Sequence, residues 1–175
     1  MEKQAYRDMF LKRRKLLDPK MHQLFNFMLL DKLSQFLDSV KPKTVAIFYP
    51  MHNEVDLRSL EENYQLYYPK IKGNQIVFYK DIGVFEKAPF NTTVPAHNNQ
   101  ASLDEIDVMI VPGLVFGHNF YRIGYGKGYY DECLSRYKGV KIGVCFELFL
   151  LETVPIETHD EALDIIVTDQ RILKR

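Results

Sequence analysis

The sequence predicts an α/β fold: a single domain with a mostly parallel (mixed) sheet flanked by helices on both faces, and further helices at the amino terminus. Three observations carry this reading. Short β-branched and aromatic runs alternate with segments of helical periodicity, the order that places crossover helices between parallel strands. Val108-Met109-Ile110-Val111 is apolar without interruption, as a strand covered on both faces requires. The 175 residues, 46% of them hydrophobic, suit one core large enough to support a cleft, and no repeat, heptad run or low-complexity tract divides them.

The elements follow in order. Residues 2–17 read as a charged amphipathic helix, and Asp18-Pro19 as the N-cap and first-turn pair of a second helix over 20–40. Leu24, Phe27, Met28, Leu33, Phe36 and Leu37 recur there at helical spacing. Residues 44–49 form a strand ending at Pro50, 57–64 a short helix, 66–68 a strand, and 75–79 with 83–86 a hairpin. Residues 94–100 are polar and loop-like, 108–111 the buried strand, 129–137 a helix, 140–145 a strand and 165–168 the final strand. The arrangement is Rossmann-like, and ligands of such sheets collect beyond the carboxyl ends of strands. The loops 50–56, 112–127 and 146–160 all follow strands, which brings Glu54, Asp131 and Asp160 toward one edge.

Charge and composition narrow the function. Lysine plus arginine equals aspartate plus glutamate at 23 each, so no global basic field points to nucleic acid. The amino-terminal residues are dense in charge and lack a signal-peptide core, and no segment carries 18 uninterrupted apolar residues; a soluble, cytoplasmic protein without membrane or obligatory protein partner is expected. Cys133 and Cys145 are too few for a disulfide framework and read as reduced core residues. Neither an HExxH zinc pattern nor a GxSxG nucleophile elbow occurs.

The most informative stretch is Pro112-Gly113-Leu114-Val115-Phe116 followed by Arg122-Ile123-Gly124-Tyr125-Gly126-Lys127-Gly128-Tyr129-Tyr130-Asp131. Alternate glycines let backbone amides approach an anion, a helix start adds positive potential, and Arg122 and Lys127 supply full charge. Asp131 stands about one helical turn further on, placed to hold a magnesium ion shared with phosphates. The spacing is GxGxG rather than GxGxxG, and Lys127 precedes Gly128-Tyr129 rather than Ser or Thr, so neither common nucleotide signature applies. Lys3 and Arg7 lie four apart on one helix face; alone, with Lys12, Arg13, Arg14 and Lys15 nearby, they read as part of a solvated cationic face. Asp56 is the better N-cap candidate beside Glu54, and Asp131 and Asp160 also read as a cap and a turn former.

The glycine-rich stretch closely resembles the signature of the 5-formyltetrahydrofolate cyclo-ligase (methenyltetrahydrofolate synthetase) family. Lys3, Arg7, Glu54 within Phe48-Tyr49-Pro50-Met51-His52-Asn53-Glu54, and Asp160 within Pro155-Ile156-Glu157-Thr158-His159-Asp160 match the same pattern over nearly the whole chain. The resemblance implies ATP-dependent closure of 5-formyltetrahydrofolate to 5,10-methenyltetrahydrofolate with Mg2+. It implies ATP contacts from Lys3, Gln4, Ala5, Tyr6 and Arg7 and from Arg122, Ile123, Gly124, Tyr125, Gly126, Lys127, Gly128, Tyr129 and Tyr130. Of these, Arg122 and Lys127 are the catalytic cations. Folate contacts are implied for Tyr49, Met51, Glu54, Tyr125 and Tyr129, and metal ligation for Asp131 and Asp160. The chain departs from the pattern where an acidic residue and a glycine are usual: Gly117 and Phe120 stand there, and the loop over 117–121 is expected to differ in shape. A catalytically weakened folate- or nucleotide-binding protein and a sugar-phosphate isomerase-like enzyme are the alternative readings; retention of both Asp131 and Asp160 favours the ligase.

Overall fold

The structure is a computed structural model describing residues 2–89 and 92–175. Helix α1 (Lys3–Lys15) runs into α2 (Pro19–Val40) through a cap that the sequence specifies. The Asp18 carboxylate accepts from the amides of Lys20 and Met21 at 2.9 and 3.2 Å, with Pro19 at the first helical position. Only part of the apolar stripe of α2 is buried: Leu29, Leu33, Phe36 and Leu37 pack into the core, whereas Leu24 and Phe27 face outward, Phe27 at 73% exposure.

The strands are β1 (Thr44–Ala46), β2 (Gln65–Lys72), β3 (Gln75–Lys80), β4 (Phe85–Ala88), β5 (Thr92–Pro95), β6 (Gln100–Ala101) and β7 (Val108–Val111). After them come β8 (Val115–Gly117), β9 (Arg122–Ile123), helix α3 (Tyr129–Arg136), β10 (Val140–Val144), β11 (Leu150–Leu151), β12 (Ile165–Val167) and β13 (Ile172–Lys174). Eight of them form the main sheet in the order β13-β12-β10-β7-β1-β2-β3-β6. Its centre, β12 through β2, is parallel, and its margins are antiparallel. All four residues of β7 are buried, as their continuous apolar run requires. No helix among the described residues is long and apolar enough to cross a membrane.

The margins differ from the sequence reading. Residues 75–80 pair back onto β2, turned by Gly73 at φ +61°, instead of pairing with 83–86. β4 instead forms a separate ribbon with β5, inside a stretch expected partly as loop. Residues 58–62 make a 3-10 turn rather than a longer helix. A last strand, β13, follows β12 because the Thr168 hydroxyl accepts from the amides of Gln170 and Arg171 and reverses the chain. A small sheet, β11-β8-β9, was also not anticipated, and it carries the chain from β7 toward the glycine-rich loop.

This small sheet accounts for the departure at 117 and shows what the residue at 120 must adopt. Phe120 sits at φ +64°, the left-handed region in which glycine is unstrained, at the position where the family pattern carries glycine. Gly117 is buried, and a Cβ there would stand 2.1 Å from Asn119 Oδ1 and 2.9 Å from the Val154 amide nitrogen. The Asn119 side chain binds the Val154 backbone in both directions, at 3.0 and 3.3 Å. An acidic residue at 117 has no space in this arrangement. Gly117→Ala is therefore expected to destabilise the fold by about 1–3 kcal/mol, the usual range for overpacking, read as a lower urea midpoint with unchanged slope.

Candidate active site

The site is assembled from loops beyond the carboxyl ends of β1, β7 and β10, closed on one side by α1. The turn after β1 places His52 and Asn53 both in the left-handed region, at φ 48° and 59°, which swings Glu54 inward to 5% exposure. Its Oε2 accepts from the Met51 amide at 2.9 Å, and its Oε1 accepts from the Tyr125 hydroxyl at 2.8 Å. The Arg14 guanidinium lies 3.6 Å from Oε1. Burial nevertheless dominates and raises the Glu54 carboxyl above its ordinary range; Arg14, the Met51 amide and Tyr125 oppose it. Burial, reinforced by the charge of Glu54, raises the Tyr125 phenol and so keeps it a donor.

Arg14 corrects the reading of the cationic face, because it is 3% exposed rather than solvated. It donates to the carbonyls of Gly113 and Leu114 at 2.7 and 3.2 Å and to Tyr125 Oη at 3.3 Å, and stacks 5.2 Å over Phe149. One signal for it was available: Lys3, Arg7, Phe10 and Arg14 fall within about 60° of one another on an α-helix. The stripe reaches different parts of the site. Arg7 Nε donates to the Gly124 carbonyl at 3.1 Å and its guanidinium lies beside Gly126. Lys3 reaches Asp160 at 2.5 Å and Glu157 at 2.9 Å. Gln4 and Ala5 are exposed, Gln4 accepting from Arg7, and Tyr6 stacks on Phe10.

In the glycine-rich loop Gly126 and Gly128 have φ +94° and +70°, and Gly128 is the N-cap of α3. A Cβ on Gly124 or Gly128 would meet nothing within 4 Å, so this side of the loop is open, and Lys127 is exposed beside it. Ile123 is buried at 1%, leaving only its backbone for a ligand. Arg122 is buried under the loop; it donates to Asp131 at 2.8 Å and to the Pro112 carbonyl at 3.2 Å. Tyr129 is half-buried, while the Tyr130 hydroxyl is buried without a hydrogen-bond partner among the described residues.

The two aspartates converge through the backbone: Asp131 Oδ1 accepts from the Glu161 amide at 3.3 Å, next in sequence to Asp160. Each is already paired, Asp131 with Arg122 and Asp160 with Lys3. Asp131 Oδ2 and Asp160 Oδ1 accept no hydrogen bond from the described residues, so each carboxylate keeps one hard oxygen for a cation. Glu157, His159 and Asp160 bring ligand atoms within 4.8 Å of one another, and Asp131 is not part of that group. Tyr49 is set apart from Glu54. It accepts from Arg58 at 2.9 Å and, with Tyr68, Phe85, Asp56 and Arg58, lines an open cleft of about 560 Å³. Asp56 accepts from the Arg58 amide, but the N-cap position of the 3-10 turn that forms here is Leu57, so Asp56 is not the N-cap its sequence position suggested. Met51 is half-buried in the turn. Both cysteines are free and buried, and burial pushes the Cys133 thiol up to about 11, so neither is poised as a nucleophile.

A mostly parallel sheet, with cations and carboxylates gathered around an open glycine loop beyond its strand ends, defines an α/β protein with one candidate site at that edge. The profile of the 5-formyltetrahydrofolate cyclo-ligase family matches residues 1–169, and the chain belongs to that family. It is 29% identical over 177 residues to the 5-formyltetrahydrofolate cyclo-ligase of Mycoplasma pneumoniae, covering 97% of this chain and 100% of the relative. A probable cyclo-ligase of Schizosaccharomyces pombe is 29% identical over 158 residues, covering 75% of this chain and 78% of that protein. Among solved structures, the 5,10-methenyltetrahydrofolate synthetase of Aquifex aeolicus superposes with a TM-score of 0.89 at 29% identity, covering 99% of this chain and 93% of that one.

The loop geometry yields a direct test. A β-branched side chain at position 126 is strained at φ +94° and would press on the Arg7 guanidinium, 3.2 Å from the site of its Cβ. Gly126→Val is expected to weaken ATP binding by about tenfold or more, with circular dichroism unchanged because the residue is exposed.

Proposed function

We propose that the protein uses ATP to cyclise 5-formyltetrahydrofolate to 5,10-methenyltetrahydrofolate, releasing ADP and phosphate, and that it does so in the cytoplasm. The observation that carries this reading is the set of cations around the open loop, Lys3, Arg7, Arg122 and Lys127, interleaved with Asp131 and Asp160. The formyl group on N5 is an amide whose oxygen is a poor leaving group. In the proposed reaction that oxygen attacks the γ-phosphorus and ADP departs. N10 then adds to the activated carbon, and the oxygen leaves with the phosphate.

The chain's part is positioning and charge neutralisation, since among the described residues no side chain is poised for covalent catalysis. The loop amides of residues 124–128 hold the phosphates, Lys127 meets them from the exposed side, and Arg122 neutralises charge from below. Lys3 and Arg7, with the neighbouring Gln4, Ala5 and Tyr6, approach from α1, while Ile123, Tyr129 and Tyr130 border the nucleotide. Asp131 and Asp160 fit a magnesium ion by donor chemistry, each with one uncommitted carboxylate oxygen. When bound, Mg2+ supplies charge neutralisation to the phosphates. The ion pairs Lys3–Asp160 and Arg122–Asp131 give an order to these events. A nucleotide arriving with its metal can take over both halves of each pair, whereas bare ATP would leave buried carboxylates unpartnered. On the folate side Met51, Tyr125 and Tyr129 offer walls to the flat ring, while Tyr49 would contact the folate only where it extends into the separate cleft that Tyr49 lines. Glu54 is the charged group there, sharing with the pterin N–H donors a carboxylate already bound to Tyr125.

Incubation with ATP, magnesium and 5-formyltetrahydrofolate should produce the near-ultraviolet band of the methenyl product. Ligand binding with no band would leave only a folate- or nucleotide-binding protein. Asp131→Asn and Asp160→Asn are each expected to lower turnover steeply and to recover partly at high magnesium. The double variant should lose less than the product of the single losses, because both side chains act on one ion. Multiplicative losses with unshifted magnesium dependence would remove these aspartates from the metal.

A further inference from the structure

Resting on that functional reading, we propose that Arg14 is a positioning residue that couples the nucleotide and folate subsites energetically through Tyr125 and Glu54. Neither the glycine loop nor the turn after β1 is fixed by its own backbone alone. Tyr125 lies between Gly124 and Gly126, in a permissive part of the chain; its ring packs against the core and near His52, and its hydroxyl adds the polar link to the interior. That hydroxyl accepts from Arg14 at 3.3 Å and donates to Glu54 at 2.8 Å. Glu54 in turn holds the Met51 amide at 2.9 Å and so fixes the turn that carries the proposed folate contacts. Arg14 reaches the other anchor of the loop as well, through the carbonyls of Gly113 and Leu114.

A displacement of the glycine loop by phosphate is thus transmitted to Glu54 through the Tyr125 hydroxyl, which Arg14 holds from the other side at 3.3 Å while its guanidinium lies 3.6 Å from the same carboxylate, in partly buried surroundings where polar groups left unpaired are costly. Only a planar guanidinium can serve these acceptors together. The cluster also has slack. Arg14 Nε is buried without a partner among the described residues, and Arg14, Asn53, Glu54 and Gly113 border a cavity of about 10 Å³. A network with one unused donor and a void of about one water's size beside it is not fully saturated, a local freedom on which coupling between two sites can act.

Coupling is reciprocal, so it is read as the ratio of affinities for one ligand with and without the other. Titration calorimetry with a non-hydrolysable ATP analogue and magnesium, in the absence and presence of saturating 5-formyltetrahydrofolate, measures it without turnover. Wild type is expected to bind the analogue about tenfold more tightly when folate is present. Arg14→Lys keeps the charge but not the fork; it should weaken each ligand bound alone and, beyond that common loss, reduce the ratio to below about twofold, which a merely structural role would not move. Tyr125→Phe removes only the hydroxyl, keeps the ring, and should reduce the ratio equally if the lysine variant fails to fold. A ratio near one in wild type that binds both ligands, or an undiminished ratio in either folded variant, overturns the coupling and leaves the enzyme assignment standing. A wild type that binds neither ligand overturns the functional reading, and the coupling with it.

Discussion

The buried guanidinium of Arg14 is the contact on which the site's geometry rests. A cation at 3% exposure is sustained only by partners that replace water, and those it has come from three different segments: two carbonyls after β7, the hydroxyl of Tyr125 and the carboxylate of Glu54. Satisfying one buried charge therefore fixes the relative positions of α1, the turn after β1 and the glycine loop. With α1 held this way, Arg7 reaches Gly124 and Lys3 reaches Asp160, which lie in loops far apart in sequence. The sheet supplies the strand ends, and the basic stripe of α1 joins them into one site.

Charge in this site is balanced locally, as it is over the whole chain. Arg122, which is buried, pairs with Asp131, and the half-buried Lys3 pairs with half-buried Asp160, so the desolvation of each is offset by its neighbour. Such pairing keeps the ligand-free protein stable while holding both signs of charge where a metal-bound triphosphate needs them. An isolated cluster of cations of the same size would repel itself, and its loop would be harder to close around an empty site.

The centre of the fold was legible in the sequence and its margins were not. Val108–Val111 and the expected runs at 44–49, 140–145 and 165–168 do hold strands, though the first is only Thr44–Ala46 and the others end one residue early, at Val144 and Val167; their short apolar or β-branched character follows from burial in the sheet. The pairing of β2 with β3 turned on one glycine, Gly73, which competes in the sequence with Gly83, and the turn before β13 depended on one hydroxyl, that of Thr168. Such local hydrogen bonds leave little trace in periodicity. In the site, the glycine loop stood out because its residue types are chemically unusual together. Arg14 was hidden among Lys12, Arg13 and Lys15, and only its helical phase relative to Lys3 and Arg7 marks it. At 117 and 120 the departures themselves were visible, but the Asn119–Val154 contact that fills the space beside Gly117 emerged only from the folded arrangement.

A scaffold that offers positioned charges and no activated nucleophile suits chemistry in which the reactants do the bond-making. In the proposed reaction the formyl oxygen is phosphorylated and leaves as phosphate, and this transfer is what the glycine loop, the α1 stripe and the paired carboxylates would serve. The most direct measurement is the fate of that oxygen. With 5-formyltetrahydrofolate carrying 18O in the formyl group, a single turnover should deliver the label to inorganic phosphate, one labelled oxygen for each methenyl product formed. Unlabelled phosphate, with the heavy oxygen appearing in water, would contradict phosphoryl transfer to the formyl group and with it the role assigned to the site.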